Sequence, residues 1–483
     1  MLKILLASSE VHPFAKTGGL ADVAGALPKA LRKLGHEVYV VMPAYRSVKA
    51  GTVVQQNLSV QMGGQTKKFS VRQALFPDSN VPIYLIDHKP YFDRDELYQD
   101  KGKDYPDNPE RFAFFCLATL ELLKKLNWAP DVIHCNDWQT ALLPVYLKTT
   151  YKNDPFFKHT ATVFTIHNLA YQGLAAHSKL HAMSLEEKLF NPHALEFYGK
   201  VNLLKGGLVF ADLLNTVSKN YSEEIQTKEF GCGLEGLLHT RKRDLFGILN
   251  GLDYAVWDPE FDNDLIKKYS AHKLVDKKPN KEDLQKLFKL PVLPMTPVIG
   301  MVSRLDTQKG FDLLVQAMDR IMALNVQLVV LGTGTPEYHV LFEKLHHKYP
   351  NQIGIALKFD AALAKKIYAG SDMFLMPSRY EPCGLGQLIS LKYGTVPIVR
   401  ETGGLADTIV DYYGNKRSGN GFTFKPYTAE DLLDTVRRAA LTFREKTAWT
   451  KLMSRAMLED FSWNASAKHY ARLYKKAAKL KDA

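Results

Sequence analysis

Two doubly wound α/β domains, each a mostly parallel sheet with helices on both faces, are what this sequence predicts. Three observations carry that prediction. At 483 residues the chain exceeds what one hydrophobic core usually supports, so two domains are the default. Short apolar runs alternate with amphipathic ones along most of its length, the pattern of parallel strands joined by crossover helices. And Thr-Gly-Gly-Leu-Ala-Asp occurs twice word for word, at 17–22 and at 402–407. Each copy follows a strand-like run and precedes a helix-like one (21–34 in the first case, Ala406 onward in the second). A strand, a paired-glycine turn and a helix start together make an anion site, because glycine admits close backbone approach and the helix end offers unpaired N–H groups. Either copy alone also reads as a plain tight connection. Lys16, just ahead of the first, shifts that copy towards phosphate.

In the first half the predicted strands are 3–8, 37–42, 81–86, 132–134, 162–166, 213–217 and 247–249. Residues 57–76 alternate polar and apolar around Gly63-Gly64, which predicts a hairpin inserted in the domain. After Asn250-Gly251-Leu252-Asp253 the pattern breaks into a polar, proline-containing stretch, 257–297. A fresh series then begins with strands at 298–302, 327–331, 353–357, 373–376 and 396–399. The last segment, 461–479, is a helix whose Trp463, Tyr470 and Tyr474 suit it to return onto the first domain. The expected domains are 1–255 with 461–483, and 256–460.

Hydrophobic content of 46% and charged content of 24% match ordinary globular usage, which excludes a disordered or membrane-embedded chain. No run approaches the roughly 20 apolar residues of a membrane span. The apolar start, 2–7, is too short for a signal peptide and reads as the first core strand. Cys116, Cys135, Cys232 and Cys383 lie far apart without metal-ligand spacing, so reduced thiols in a cytoplasm are expected and no metal site is. The net charge of +12 is mostly spread, densest at 272–289 and 475–481, and reads as a solvated surface that also attracts anionic substrates. A nucleic-acid binder would concentrate it among aromatics.

In open parallel sheets ligands sit outside the carboxyl ends of the strands, and the unusual residues cluster there. Arg304 ends one predicted strand, and Lys309 precedes the glycine that opens a helix at 311–322. A planar fork and a point charge together suit a diphosphate leaving group. Pro382 biases Glu381 away from helical angles into a fixed loop, followed by Gly384-Leu385-Gly386. A carboxylate there would repel phosphate, so it reads as an acceptor for sugar hydroxyls or a stabiliser of positive charge on a sugar ring. A loop carboxylate facing water is the alternative. His12, His36, His159 and His239 have no partner at ligand spacing and read as surface or structural. Tyr91, Phe92 and Tyr98 read either as glucan-stacking residues or as packing.

These motifs resemble bacterial glycogen synthases and plant starch synthases. The resemblance is carried by residues 16–22, 26–28, 134–138, 165–173, 250–253, 303–310 and 380–387, in order through nearly the whole chain. It implies the GT-B fold, two Rossmann-like domains facing across a deep cleft, and transfer of glucose from ADP-glucose to the non-reducing end of an α-1,4-glucan with retention. Lys16 and the backbone of Gly18 and Gly19 would then contact the donor diphosphate, with Arg304 and Lys309 neutralising it as it departs. Glu381 would hold the donor sugar, and Gly384, Leu385 and Gly386 the phosphate. His167 would lie against the sugar ring, Asp137, Asn168 and Asn250 would line the sugar and acceptor side, and Asp22 would also bind substrate. No cofactor is implied, and the basic residues supply the charge that Mg²⁺ would otherwise bring. Neither nucleic acid nor membrane is an expected partner.

The chain departs from the family at Phe359, where tyrosine is usual, which removes a hydroxyl near the adenine or ribose. Ile389 stands where the wider superfamily often has a second glutamate, in keeping with the glycogen-synthase branch. A non-catalytic glucan-binding homologue, a GT-B transferase with another donor or acceptor, and a nucleotide-sugar epimerase stay open as alternatives.

Overall fold

The computed structural model of the protein describes residues 1–482. It divides into two compact units, Met1–Gly251 with the last helix, and Leu252–Ser462. The expected break at 255/256 lies slightly inside the second unit, because the Leu252 amide donates to the Phe461 carbonyl (2.7 Å) and Leu252 is buried in that unit's core.

The sheet of the first unit has nine strands: β1 (Lys3–Ala7), β2 (Glu37–Pro43), β3 (Thr52–Met62), β4 (Gln65–Leu75), β5 (Pro82–Asp87), β6 (Val132–Asn136), β7 (Ala161–Ile166), β8 (Leu213–Thr216) and β9 (Leu245–Gly247). Their spatial order is β9-β8-β7-β6-β1-β2-β5-β4-β3, parallel from β9 to β5. β6 and β7 are buried at every residue, as strands covered on both faces must be. The hairpin β3–β4 is no separate insertion: β4 pairs antiparallel with β5 and extends the main sheet. Gly63 and Gly64 turn it with φ of 59° and 72°, values that a two-residue turn of this hand requires. β9 comes two residues earlier than expected, because Leu245 and Phe246 pair with Leu214 and Asn215.

The second unit has β10 (Val298–Val302), β11 (Gln327–Leu331), β12 (Ile353–Ala356), β13 (Met373–Met376), β14 (Val396–Arg400) and β15 (Phe422–Phe424). Their order is β12-β11-β10-β13-β14-β15, all parallel. β15 was not anticipated, since three residues are too few for a pattern. The helices Phe311–Met322 and Ala429–Arg444 bury Leu314, Leu432 and Val436 in the same core.

Two expectations about charge and helix length need correction. Lys277 and Lys281, in the stretch expected to be solvated, are buried. The Lys277 ammonium donates to the carbonyl of Ala369 (2.6 Å) and the hydroxyl of Thr395 (2.8 Å), at the carboxyl end of the helix Ala361–Gly370, where a cation is favoured. Burial pulls its pKa down to about 7. The helix predicted from Ala406 onward is short, Gly403–Thr408. It stops because Ile409 is extended and the Asn420 side chain donates to the Thr408 carbonyl (2.9 Å).

The last helix, Trp463–Asp482, belongs to the first unit and buries Trp463, Tyr470 and Tyr474. The Tyr474 hydroxyl meets Nδ1 of His134 at 2.8 Å, and Nε2 of His134 meets the Thr165 hydroxyl at 2.7 Å. Burial pushes the His134 pKa down to about 3, so this ring is a neutral bolt between β6, β7 and the helix. Tyr474→Phe leaves Nδ1 without its partner in the core. The expected cost is about 1–3 kcal/mol, read as an earlier denaturant midpoint in urea; an unshifted midpoint would refute the bolt.

Candidate active site

Each sheet reverses its winding beside its first strand: in one unit between β1 and β6, in the other between β10 and β13. At such a switch point the two connections leave in opposite directions and open a crevice at the strands' carboxyl ends. Most of the predicted site residues lie in loops at or next to these two places, whereas Asn250 follows β9 and Phe359 follows β12, the edge strands of their sheets.

In the first unit the chain leaves β1 through Ser8-Ser9-Glu10. Glu10 is buried and organises the glycine turn: its carboxylate accepts from the amides of Thr17 (2.5 Å) and Gly18 (3.1 Å), from the Thr17 hydroxyl (2.6 Å) and from the Tyr98 hydroxyl (2.8 Å). The Gly18 amide, expected to face a phosphate, is therefore turned inward. What the turn offers outward is bare backbone. A Cβ on Gly18 would meet nothing within 4 Å, and its φ of −149° is open to any residue, so nothing inside the protein requires glycine there. Gly19 opens the helix Gly19–Lys33, and the Lys16 ammonium pairs with Asp22 at 2.6 Å on the surface.

Asp137 follows β6 with φ 56°, a left-handed conformation that costs energy for a residue with a side chain. The turn is held because the Asp137 amide donates to the Thr165 carbonyl (3.0 Å) and Oδ1 of Asp137 accepts from the His167 amide (2.7 Å). The Asn136 side-chain amide donates to the Ala7 carbonyl (3.0 Å), which leaves its oxygen to accept from Nε2 of His167 (2.9 Å). His167 is thus held as the Nε2-protonated neutral ring, and burial pushes its pKa down to about 3. Asn168 accepts from the Ala170 amide (3.1 Å). Asn250 is buried, and its side-chain oxygen has no partner among the described residues. Neither Tyr98, bonded to Ser9 and Glu10, nor Phe92, in the core, is a stacking surface.

In the second unit the loops after β10 and β13 are locked together. Gly310 has φ +74°, and a Cβ there would lie 1.9 Å from the Pro377 carbonyl oxygen. The Gln308 side chain donates to the Tyr380 carbonyl (3.1 Å), and the Arg379 amide donates to the Gln308 carbonyl (2.8 Å). This brings the Lys309 ammonium to 2.7 Å from Oε2 of Glu381, which also accepts from the Ser378 hydroxyl (3.0 Å). Glu381 is buried and does not face open water. Both bonds converge on Oε2, and among the described residues none is made to Oε1. Lys309, assigned by resemblance to the diphosphate, is here the counter-ion of Glu381. Arg304 is half exposed, 3.5 Å from Asp306. Gly384, Leu385 and Gly386 lead into the helix Gly386–Lys392. Phe359, 83% exposed, stands in the loop after β12.

The second Thr-Gly-Gly-Leu-Ala-Asp copy is not an open anion site. A Cβ on Gly403 would lie 1.9 Å from the Glu381 carbonyl oxygen, and one on Gly404 2.1 Å from that of Cys383. The Gly404 amide also donates to the Glu381 carbonyl (3.1 Å). This copy is the floor under the Glu381 loop. Sequence reasoning missed Glu10, Asn136, Gln308 and Ser378. For Glu10 there was a signal, an acidic residue directly between a core strand and a glycine turn. Among the described residues no group of three or more His, Cys, Asp or Glu is placed to hold a metal ion.

Burial raises the Asp137 pKa to about 7, above the 3.8 usual for the group. The folded state therefore holds a proton that the unfolded state has lost. The stability this contributes is fully present below about pH 4 and is lost as pH rises through about 7. Comparing urea midpoints at pH 5 and pH 8, Asp137→Asn is expected to remove part of the decline; an unaltered pH dependence would contradict the raised pKa.

Residues 3–240 match the starch synthase catalytic domain and residues 283–448 the group 1 glycosyl transferases. The chain is 51% identical over 480 residues to a glycogen synthase of Geotalea uraniireducens, covering 99% of each chain. It is 51% identical over 478 residues to one of Moorella thermoacetica, covering 99% of this chain and 97% of that one. The catalytic domain of starch synthase IV from Arabidopsis thaliana, solved with ADP and acarbose, superposes with a TM-score of 0.92 at 32% identity, covering 99% of both chains. Sucrose-phosphate synthase from Thermosynechococcus elongatus shares the fold at a TM-score of 0.61 and 18% identity. With two Rossmann-like sheets of the GT-B fold class and relatives of this identity along its whole length, the chain belongs to the glycogen synthase family of glycosyltransferases.

Proposed function

We propose that the protein transfers glucose from ADP-glucose to the non-reducing end of an α-1,4-glucan, with retention and without a metal ion or cofactor. The observation that carries this is the Glu381 carboxylate: buried, held by Lys309 and Ser378 through Oε2, with no hydrogen bond to Oε1 among the described residues. That arrangement suits hydroxyls of a donor sugar. The related starch synthase IV was solved with ADP and with acarbose, which supports a nucleoside diphosphate donor and a glucan acceptor.

In this reading Lys16, Arg304 and Lys309 spread positive charge over the departing diphosphate, the role a metal ion would otherwise fill. Lys16 exchanges Asp22 for phosphate, and Gly18 admits the phosphate by close approach over its bare Cα, with the Gly19 amide at the helix start. Gly384, Leu385 and Gly386 bind phosphate, and Phe359 lies by the base. The bond from C1 of glucose to the diphosphate oxygen breaks while one to the acceptor oxygen forms on the same face. The acceptor's proton passes to the departing phosphate. His167 is neutral and flanks the sugar, with Asp137, Asn168 and Asn250 on the sugar and acceptor side. The reaction belongs in a cytoplasm, with neither nucleic acid nor membrane as partner; among the described residues no helix is long and apolar enough to cross a membrane.

The deciding experiment is glucose incorporation into glycogen from ADP-glucose and UDP-glucose side by side, with EDTA and a Lys16→Ala control. Transfer from ADP-glucose, indifferent to EDTA and lost in the variant, is expected. Glycogen binding without transfer from either donor would assign the protein to a non-catalytic class. Two variants test the roles. Glu381→Gln is expected to lower kcat by about 100-fold or more with ADP affinity nearly unchanged; equal losses would remove the sugar role. Gly18→Ala is expected to leave the melting temperature in place while kcat/KM falls by roughly tenfold or more. Full activity in that variant would mean no ligand approaches the turn.

A further inference from the structure

Beyond these two crevices, the first unit carries a small three-stranded sheet of Leu174–Ala176, Lys200–Asn202 and Glu196–Phe197. Phe197 pairs with Lys200, so Tyr198 and Gly199 form a two-residue hairpin turn, with φ of 48° and 77°. A turn with both central residues left-handed favours Asn-Gly, Asp-Gly or Gly-Gly, because a larger side chain there meets its own backbone. This chain places tyrosine in it, and the ring is 84% exposed. Folding alone gives no reason for that choice.

The ring is nonetheless fixed. Phe197 packs against it edge to face, with centroids 4.7 Å apart at 80°. Gly233 backs both rings: a Cβ there would lie 2.9 Å from Phe197 and 3.5 Å from Tyr198. The hairpin is also tied to the segment that leaves His167. The Asn202 side chain donates to that of Gln172 (2.7 Å), the Gln172 side chain donates to the Cys232 carbonyl (3.1 Å), and the Leu204 amide donates to the Gln172 carbonyl (3.0 Å). Tyr171 and Leu174, on that same segment, are 54% and 46% exposed. A rigid, solvent-facing aromatic ring held at a conformational cost on the surface leading from the acceptor side is the mark of a ligand platform.

We propose that Tyr198, braced by Phe197 and Gly233, is a stacking site for glucose units of an α-glucan chain, separate from the place where transfer occurs. Pyranose rings present a face of C–H bonds that lies flat on the negative face of an aromatic ring. The choice of glucan rests on the transferase reading above. A long chain engaging both this platform and the acceptor crevice gains by effective concentration, whereas a short oligosaccharide gains nothing.

The test is affinity electrophoresis of the whole protein in gels containing glycogen, alongside activity on glycogen and on maltotriose. Tyr198→Asn keeps a favourable turn, so its melting temperature is expected to equal or exceed the parent's. Its dissociation constant and KM for glycogen are expected to rise about fivefold, with KM for ADP-glucose and for maltotriose unchanged. Tyr198→Phe, which keeps the ring, is expected to behave as the parent. Unchanged retardation of Tyr198→Asn, or a parent protein that glycogen does not retard, overturns the platform. So does a variant whose sole change is loss of self-association in light scattering, since a second copy would then be the occupant. Retardation that depends on Tyr198 in a protein that transfers no glucose upholds the platform and overturns the transferase reading instead.

Discussion

A parallel sheet whose chain winds first to one side and then to the other leaves two neighbouring strands with their connections diverging, and the gap between them is forced by topology. The placement of most candidate site residues in this molecule depends on that constraint. In the first unit the gap lies between β1 and β6, in the second between β10 and β13. Both are flanked by fully parallel strands whose apolar side chains are buried on two faces, so the frame around each gap is rigid. The loops that enter the gaps need little hydrophobic anchoring and can be built from polar residues and glycine.

What fills those loops is charge held by opposite charge or by backbone amides. In the first unit Glu10 gathers two amides and two hydroxyls, fixing the glycine turn from beneath. In the second, Lys309 and Ser378 hold one oxygen of Glu381. A buried carboxylate without such partners would take up a proton or unfold its loop. Pairing it through a single oxygen leaves the other without a hydrogen bond among the described residues. His134 and His167 show the complementary device: imidazoles held neutral by desolvation, the first fully and the second partly buried, each fixed by hydrogen bonds.

The repeated hexapeptide shows how far identical sequence underdetermines role. Both copies follow a strand and open a helix. The first presents Gly18 to empty space, whereas the second presses Gly403 and Gly404 onto the backbone of Glu381 and Cys383. In one copy the missing side chain leaves open space, in the other it lets two loops touch. The surroundings decide, since glycine's lack of a Cβ is equally useful to a neighbour inside the protein and to one outside it.

The fold class, the two-unit division and nearly every strand were legible in the sequence, because buried parallel strands are continuous apolar runs and crossover helices are amphipathic. Short or marginal pieces were not: β15 and the Tyr198 hairpin have too few residues to show a period. That Lys16, Arg304, Lys309 and Glu381 lie in loops beyond strand ends was legible too. Their pairings were decided by tertiary structure alone. That Lys309 meets Glu381 and that Lys277 is buried under a helix end join residues far apart in the chain, and even the nearby Glu10 and Gly18 meet only through the turn between them. Periodicity and spacing report local geometry; which charges meet is set when separate strands bring their loops to one place.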